Sequence, residues 1–150
     1  MKDQVASFLL AVQFLTRLPI PGWLAYTEAR MAGSAAYYPL VGVLVGALCS
    51  AVFWGASLLF PPLVSIILAI AAGLLLTGAF HEDGLADTFD GIGGGHTRES
   101  ALEIMRDSRL GTYGTLALVA ALGLKAAILT DLPSHLLLYA FPAAHGLSRL

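Results

Sequence analysis

Charge is what this sequence lacks. Residues 31–80 contain no Asp, Glu, Lys, Arg or His, and charged side chains make up only 12% of the 150 residues, against roughly 25% in ordinary soluble domains. Fifty uncharged residues exclude an ordinary water-facing surface, and they suffice for two bilayer crossings at about 20 residues each. With 57% hydrophobic residues and a mean hydropathy of +0.79, the composition describes an integral membrane protein. Cysteine is nearly absent too. A single residue, Cys49, excludes an internal disulfide and a cysteine zinc site, and inside the apolar run it reads as a small buried hydrophobe. The N-terminus has neither a convincing basic n-region nor a small-residue cleavage site, so it reads as mature protein. There is no internal repeat and no low-complexity segment. The net charge of -2 decides nothing as a total, because in membranes the placement of charges carries the information.

The pattern predicts an all-α, polytopic membrane helix bundle forming one membrane-embedded domain. Residues 5–18 read as a buried or interfacial helix, too short to span comfortably and closed by Pro19 and Pro21. Spans are predicted at 39–60 and 61–80, divided by the Pro61-Pro62 turn, and at 111–130 and 133–150. Gly42 and Gly46, four residues apart, suit close helix contact in lipid. His145, within the fourth span, reads as a packing or cavity-lining polar residue. Lys2, Arg17 and Arg30 precede the first span, and Arg98, Arg106 and Arg109 lie between the second and third. Short cation-bearing loops stay in the cytoplasm, so the segment 81–110 is expected there.

That segment reverses the character of the chain. Residues 81–109 hold ten of its eighteen charged residues, seven of them acidic. If "HEDGLADTFDGIGGG" is helical, Asp83, Asp87 and Asp90 fall at i, i+4 and i+7, within about 60° of arc. Facing carboxylates repel unless a cation lies between them. Hard oxygen donors without nearby cysteine point to Mg2+ or Mn2+ rather than zinc. Gly84, Gly91, Gly93, Gly94 and Gly95 would leave room for a bulky ligand and let backbone amides approach phosphate. Further on, Glu103 and Asp107 would share a helical face, completing a carboxylate cage, while Arg98, Arg106 and Arg109 would grip phosphate. His81 and His96 flank the acids as candidate bases. The plainer alternatives are acids collecting where water begins, a surface helix with Glu-Arg pairing, and histidines serving as interfacial anchors. Carboxylates, arginines and glycines together describe phosphoryl or nucleotidyl transfer.

"FLTRLPIP", "YYPLVGVLVG", "HEDGLADTFDGIGGG" and "MRDSRLGTYG" resemble, in this order, the cobalamin synthase family, the cobalamin-5'-phosphate synthases. The resemblance implies a Mg2+-dependent membrane transferase that joins adenosylcobinamide-GDP to alpha-ribazole or its 5'-phosphate and releases GMP, the final nucleotide-loop step of vitamin B12 synthesis. It implies a multi-pass protein of a prokaryotic cytoplasmic (inner) membrane. Its expected partners are those substrates and the lipid bilayer, with no nucleic acid and with room for a homo-oligomer or other cobalamin-assembly enzymes. Family members continue through further helices after "LSR", so the chain reads as truncated relative to them. Pattern and resemblance together assign Glu82, Asp83, Asp87, Asp90, Glu103 and Asp107 to metal, with Asp87 and Asp90 central to catalysis. Two rival readings stand beside this one. A CDP-alcohol phosphotransferase shares the D-x-x-D-G opening at Asp87 to Gly91 but has an Ala-Arg that is absent here. A cation-coupled transporter would place its acids near the bilayer midplane rather than at the end of a span.

Overall fold

The computed structural model describes residues 2–22 and 24–150. Among the described residues there are helices and no strands: α1 (Lys2–Leu15), α2 (Glu28–Ser34), a 3-10 turn (Ala35–Tyr37), α3 (Tyr38–Ser57), α4 (Pro62–Thr77), α5 (Phe80–Gly94), α6 (Arg98–Arg106), α7 (Thr112–Asp131) and α8 (Ser134–Leu147). They form two compact units, one of Met1–Gly78 with Thr130–Leu150, the other of Ala79–Leu129.

The first unit is built around α3. Its buried residues, Val41, Gly42, Val45, Gly46, Cys49, Ser50 and Phe53, recur every three to four positions and so make one continuous stripe. α8 lies against that stripe at close range. A Cβ on Gly46 would stand 2.5 Å from Pro142 Cα, and one on Gly42 would run into the His145 carbonyl. The expected close contact at Gly42 and Gly46 is therefore made within the chain. Gly73 of α4 gives similar access to Cys49, whose Sγ would lie 3.1 Å from an added Cβ, and to the His145 ring, which makes His145 a packing residue.

Pro142 lies inside α8 and has no N–H to offer the carbonyl of Leu138, four residues back. An unmatched carbonyl is expensive in an apolar setting. The Ser50 hydroxyl donates to it from α3 at 3.0 Å, so the polar residue on the glycine stripe supplies the bond that proline removes. The Phe53 and Phe141 rings pack 6.4 Å apart beside it.

α1 buries Ala6, Leu10, Ala11 and Leu15, as expected for a buried helix. Phe8 meets Tyr37 edge-on at 5.9 Å and Phe14 stacks on Tyr38 at 5.7 Å. Beyond α1, the Arg17 amide donates to the Leu76 carbonyl at 2.7 Å, and its side chain lies against Gly78. A cation there is favourable beside the negative end of α4.

The predicted spans need correction in two places. The second stops at Thr77 because Gly78 (φ 67°) and Ala79 (φ 57°) are both left-handed, a conformation natural for glycine and rare for alanine. The acidic helix is consequently a separate element. The fourth is a 14-residue helix, shorter than the roughly 20 residues a crossing takes. Among the described residues, two helical stretches are long and apolar enough to cross a membrane, Glu28–Ser57 and Thr112–Asp131, or three if α4 and α5 count as one broken span. The molecule is thus an all-α membrane protein.

Candidate active site

α5 begins after Ala79, whose carbonyl accepts the Asp83 amide at 2.8 Å. Glu82 and Asp83 occupy its first turn, where the helix dipole favours negative charge. Asp83, Asp87 and Asp90 do share a face, but they sit at three depths. Asp83 is exposed, Asp87 is half-buried, and Asp90, beside buried Ala86 and Gly91, is 8% exposed.

Depth separates their chemistry. Among the described residues no hydrogen-bond donor reaches the Asp83 or Asp87 carboxylate. Asp90 instead accepts the Gly111 amide on Oδ2 and the Gly114 amide on Oδ1, both at 2.8 Å. Gly111 immediately precedes α7, and Gly114 is its third residue.

The glycine run is helix rather than loop. Gly93 and Gly94 close α5 and Gly95 follows it in extended conformation, so the helix orients their amides instead of an open phosphate-binding turn. What the missing side chains permit is packing. A Cβ on Gly93 would meet the Tyr113 ring at 2.5 Å, one on Gly95 the Ala101 backbone at 2.6 Å, and one on Gly91 the Met105 side chain at 2.6 Å. Helix α6 thereby packs along α5, and its start is fixed by a capping box. The Thr97 hydroxyl accepts the Ser100 amide at 3.2 Å, while the Thr97 amide donates to Ser100 Oγ at 3.0 Å.

α6 ends at Arg106, and Asp107 is already extended (φ −78°, ψ 124°). The expected shared helical face of Glu103 and Asp107 therefore does not form. Asp107 turns to Arg109, accepting its backbone amide on Oδ1 at 3.1 Å and its Nε on both oxygens at 3.0 and 2.9 Å. Nη2 closes the fork on Oδ2. These hydrogen bonds hold the Asp107 carboxyl below the ordinary carboxylate range and raise the Arg109 guanidinium above its own.

A cleft of about 400 Å³ opens at this turn, with Asp90, Gly94, Asp107, Arg109 and Tyr113 in its wall. Of the residues predicted to act together, it unites Asp90, Gly94, Asp107 and Arg109. Arg98 at the start of α6, Glu103 on its exposed side and Arg106 at its end are not part of that wall, nor are Glu82, Asp83, Asp87, Gly93, Gly95, His81 and His96. His81 lies at the start of α5, its ring 5.5 Å from Phe80 and perpendicular to it; His96 is exposed between α5 and α6. Spacing and charge in the sequence assign no role to the Gly111 and Gly114 amides or to Tyr113. A signal was available: α7 starts after Leu110-Gly111 with no Ser, Thr, Asp or Asn to cap it, so its first amides require an acceptor from elsewhere.

Among the described residues no three of His, Cys, Asp and Glu gather as a ready-made metal cage. The six-carboxylate set expected from sequence is therefore not assembled by the fold. The donor-free pair Asp83 and Asp87 still fits a Mg2+ ion, which is typically held by one or two carboxylates together with substrate phosphates and water.

A family model described as cobalamin-5-phosphate synthase matches residues 7–150. A protein of Leptothrix cholodnii is 52% identical over 145 residues, covering 95% of this chain and 55% of its own length. One of Shewanella frigidimarina is 47% identical over 150 residues (98% of this chain, 58% of the relative). One of Vibrio parahaemolyticus is 53% identical over 132 residues (88% and 50%). All three are named adenosylcobinamide-GDP ribazoletransferase. The chain spans about half the length of the curated relatives it matches. No solved structure matches it.

Proposed function

The chain belongs to the cobalamin-5-phosphate synthase family, and on that premise we propose that it carries the phosphate-handling part of an adenosylcobinamide-GDP ribazoletransferase. The reaction joins adenosylcobinamide-GDP to alpha-ribazole or its 5'-phosphate and releases GMP. The observation that carries the reading is the donor-free face of exposed Asp83 and half-buried Asp87, in the same folded unit as the fork of Asp107 and Arg109. Such a pairing suits a pyrophosphate, which needs charge offset on one side and directional donors on the other.

In this mechanism Asp83 and Asp87 would hold Mg2+, which when bound would supply positive charge to offset that of the phosphates. Arg109 exchanges one partner for another, leaving the Asp107 carboxylate for a phosphate oxygen; Arg106 and Arg98 add positive charge nearby. The ribazole hydroxyl attacks the phosphorus attached to cobinamide. Its oxygen forms the new P–O bond, the bond to GMP breaks, and the hydroxyl proton passes to a base, the candidates being His81, His96 or a carboxylate. The cations of segment 81–110 favour the cytoplasmic side of the inner membrane for this chemistry.

The test is GMP release from adenosylcobinamide-GDP by purified protein in detergent, with and without Mg2+ and alpha-ribazole 5'-phosphate. Release that requires both, and that Asp87→Asn lowers by about a hundredfold or more, is the expected result. Release from Asp87→Asn at the unsubstituted rate would remove the carboxylate pair from the mechanism.

A further inference from the structure

Asp90 lies one turn beyond Asp87 on the same face, yet its carboxylate is engaged in a different task. It receives one amide on each oxygen at 2.8 Å and is 8% exposed. The amides belong to Gly111 and Gly114, the N-cap and third residue of α7, since the Gly111 carbonyl accepts the first helical bond from Thr115 at 3.1 Å. Such amides have no partner within their own helix. Ordinarily a Ser, Thr, Asp or Asn at the N-cap supplies the acceptor; here the position is glycine and Asp90 supplies it from α5.

The fit is tight from both sides. A Cβ on Gly111 or Gly114 would run into the Asp90 carboxylate, and one on Gly114 would also stand 2.8 Å from the Ala86 carbonyl. The same three residues therefore specify one another: a carboxylate of this reach and two positions without side chains. The consequence extends to the site, because the turn that Asp90 anchors carries Arg109 and leads into Tyr113, both in the wall of the cleft.

We infer that Asp90 is a positioning residue and not a metal ligand: it caps α7 from α5 and thereby fixes the turn bearing Arg109, leaving the metal to Asp83 and Asp87. The catalytic consequence rests on the transferase reading; the capping does not.

The experiment compares the full chain with its Asp90→Asn, Asp87→Asn and Gly111→Ala variants. It reads backbone hydrogen exchange across residues 110–116, binding of Mn2+ by electron paramagnetic resonance, and GMP release. Asp90→Asn keeps one acceptor but turns an NH2 toward the other amide, so exchange at residues 111–115 should rise about tenfold or more. Its Mn2+ affinity should remain within about twofold, as losing a cap leaves ligands intact. Its kcat should fall while KM and the metal concentration for half-maximal rate hold. Asp87→Asn should show the converse, normal exchange with weakened Mn2+ binding. Gly111→Ala approaches the same contact from the other side and should reproduce the exchange increase, which keeps the test decisive if Asp90→Asn does not fold. Unchanged exchange in Asp90→Asn, or lost Mn2+ affinity with exchange intact, would overturn the inference. Absence of GMP release from the unsubstituted chain would count against the transferase reading alone, since exchange and Mn2+ binding are read without turnover.

Discussion

The bond from Ser50 to the Leu138 carbonyl offers a prediction that can be worked to a magnitude. Pro142 leaves that carbonyl without its helical donor, and Ser50, itself only 7% exposed, donates to it at 3.0 Å. In Ser50→Ala the carbonyl is unpaired between α3 and α8. An unsatisfied buried group costs about 1–3 kcal/mol, while measured interhelical bonds in membranes average about 0.6 and reach about 1.7 kcal/mol. The expected loss is about 1 kcal/mol, roughly fivefold in the unfolding equilibrium. The mechanism also predicts its own rescue. Pro142→Ala restores an N–H four residues from Leu138, so in that background Ser50→Ala should cost under about 0.3 kcal/mol. The assay is a double-mutant cycle by reversible SDS-driven unfolding in mixed micelles, followed by far-UV circular dichroism. An equal cost of Ser50→Ala with and without Pro142 would refute the idea that serine substitutes for the donor proline removes.

Three further outcomes are expected. Gly46→Ala forces a Cβ to 2.5 Å from Pro142 Cα and should destabilise by about 1–3 kcal/mol, whereas Gly55→Ala, with nothing within 4 Å, should be near neutral in the same unfolding assay. Asp87→Asn should lower GMP release by about a hundredfold or more, and Glu103→Gln, on the exposed side of α6, should leave it within about twofold; comparable losses would restore the larger cage. The Asp107 carboxyl, lowered by Arg109, should titrate back near its ordinary value in Arg109→Ala, as read by carbon-13 NMR. Because that pKa is depressed in the folded protein, the pair's contribution is complete above the unfolded carboxylate pKa and disappears as pH falls through the lowered one. Its contribution should therefore be level through neutral pH and weaken in high salt.

What could be read in advance followed from periodicity and from the uneven distribution of charge. The uncharged run, the glycine spacing at Gly42 and Gly46 and the helical face of Asp83, Asp87 and Asp90 each express a local regularity, and each appears as a helical feature. The misses are places where a single backbone conformation overrides a periodic pattern. Left-handed Gly78 and Ala79 end α4 within an otherwise apolar stretch. The extended Asp107 breaks the spacing that would have joined it to Glu103. Depth was equally invisible, because i, i+4, i+7 places three carboxylates on one face without saying which end of that face is covered. That requires knowing that the start of α7, at Gly111 and Gly114, closes on Asp90, a contact between residues 21 and 24 positions apart in sequence.

The three aspartates show why depth matters more than spacing for assigning roles in an acidic motif. All three are the same residue type on one helical stripe, so repulsion and metal affinity would treat them alike if solvent reached them equally. Burying Asp90 without partners would be costly, and the fold offsets this with two backbone amides that themselves needed an acceptor. Two deficits, an uncapped helix and a buried charge, thus cancel in one contact. Asp83 and Asp87 have no such arrangement, and their charge remains available to whatever enters from solvent. Substitutions at Asp87 and Asp90 should accordingly inactivate by different routes. An Asp90 variant should respond to conditions that stabilise the start of α7 and be indifferent to added metal, while an Asp87 variant should recover part of its activity as Mg2+ is raised. Parallel recovery of both variants with metal would mean that burial had not divided the stripe.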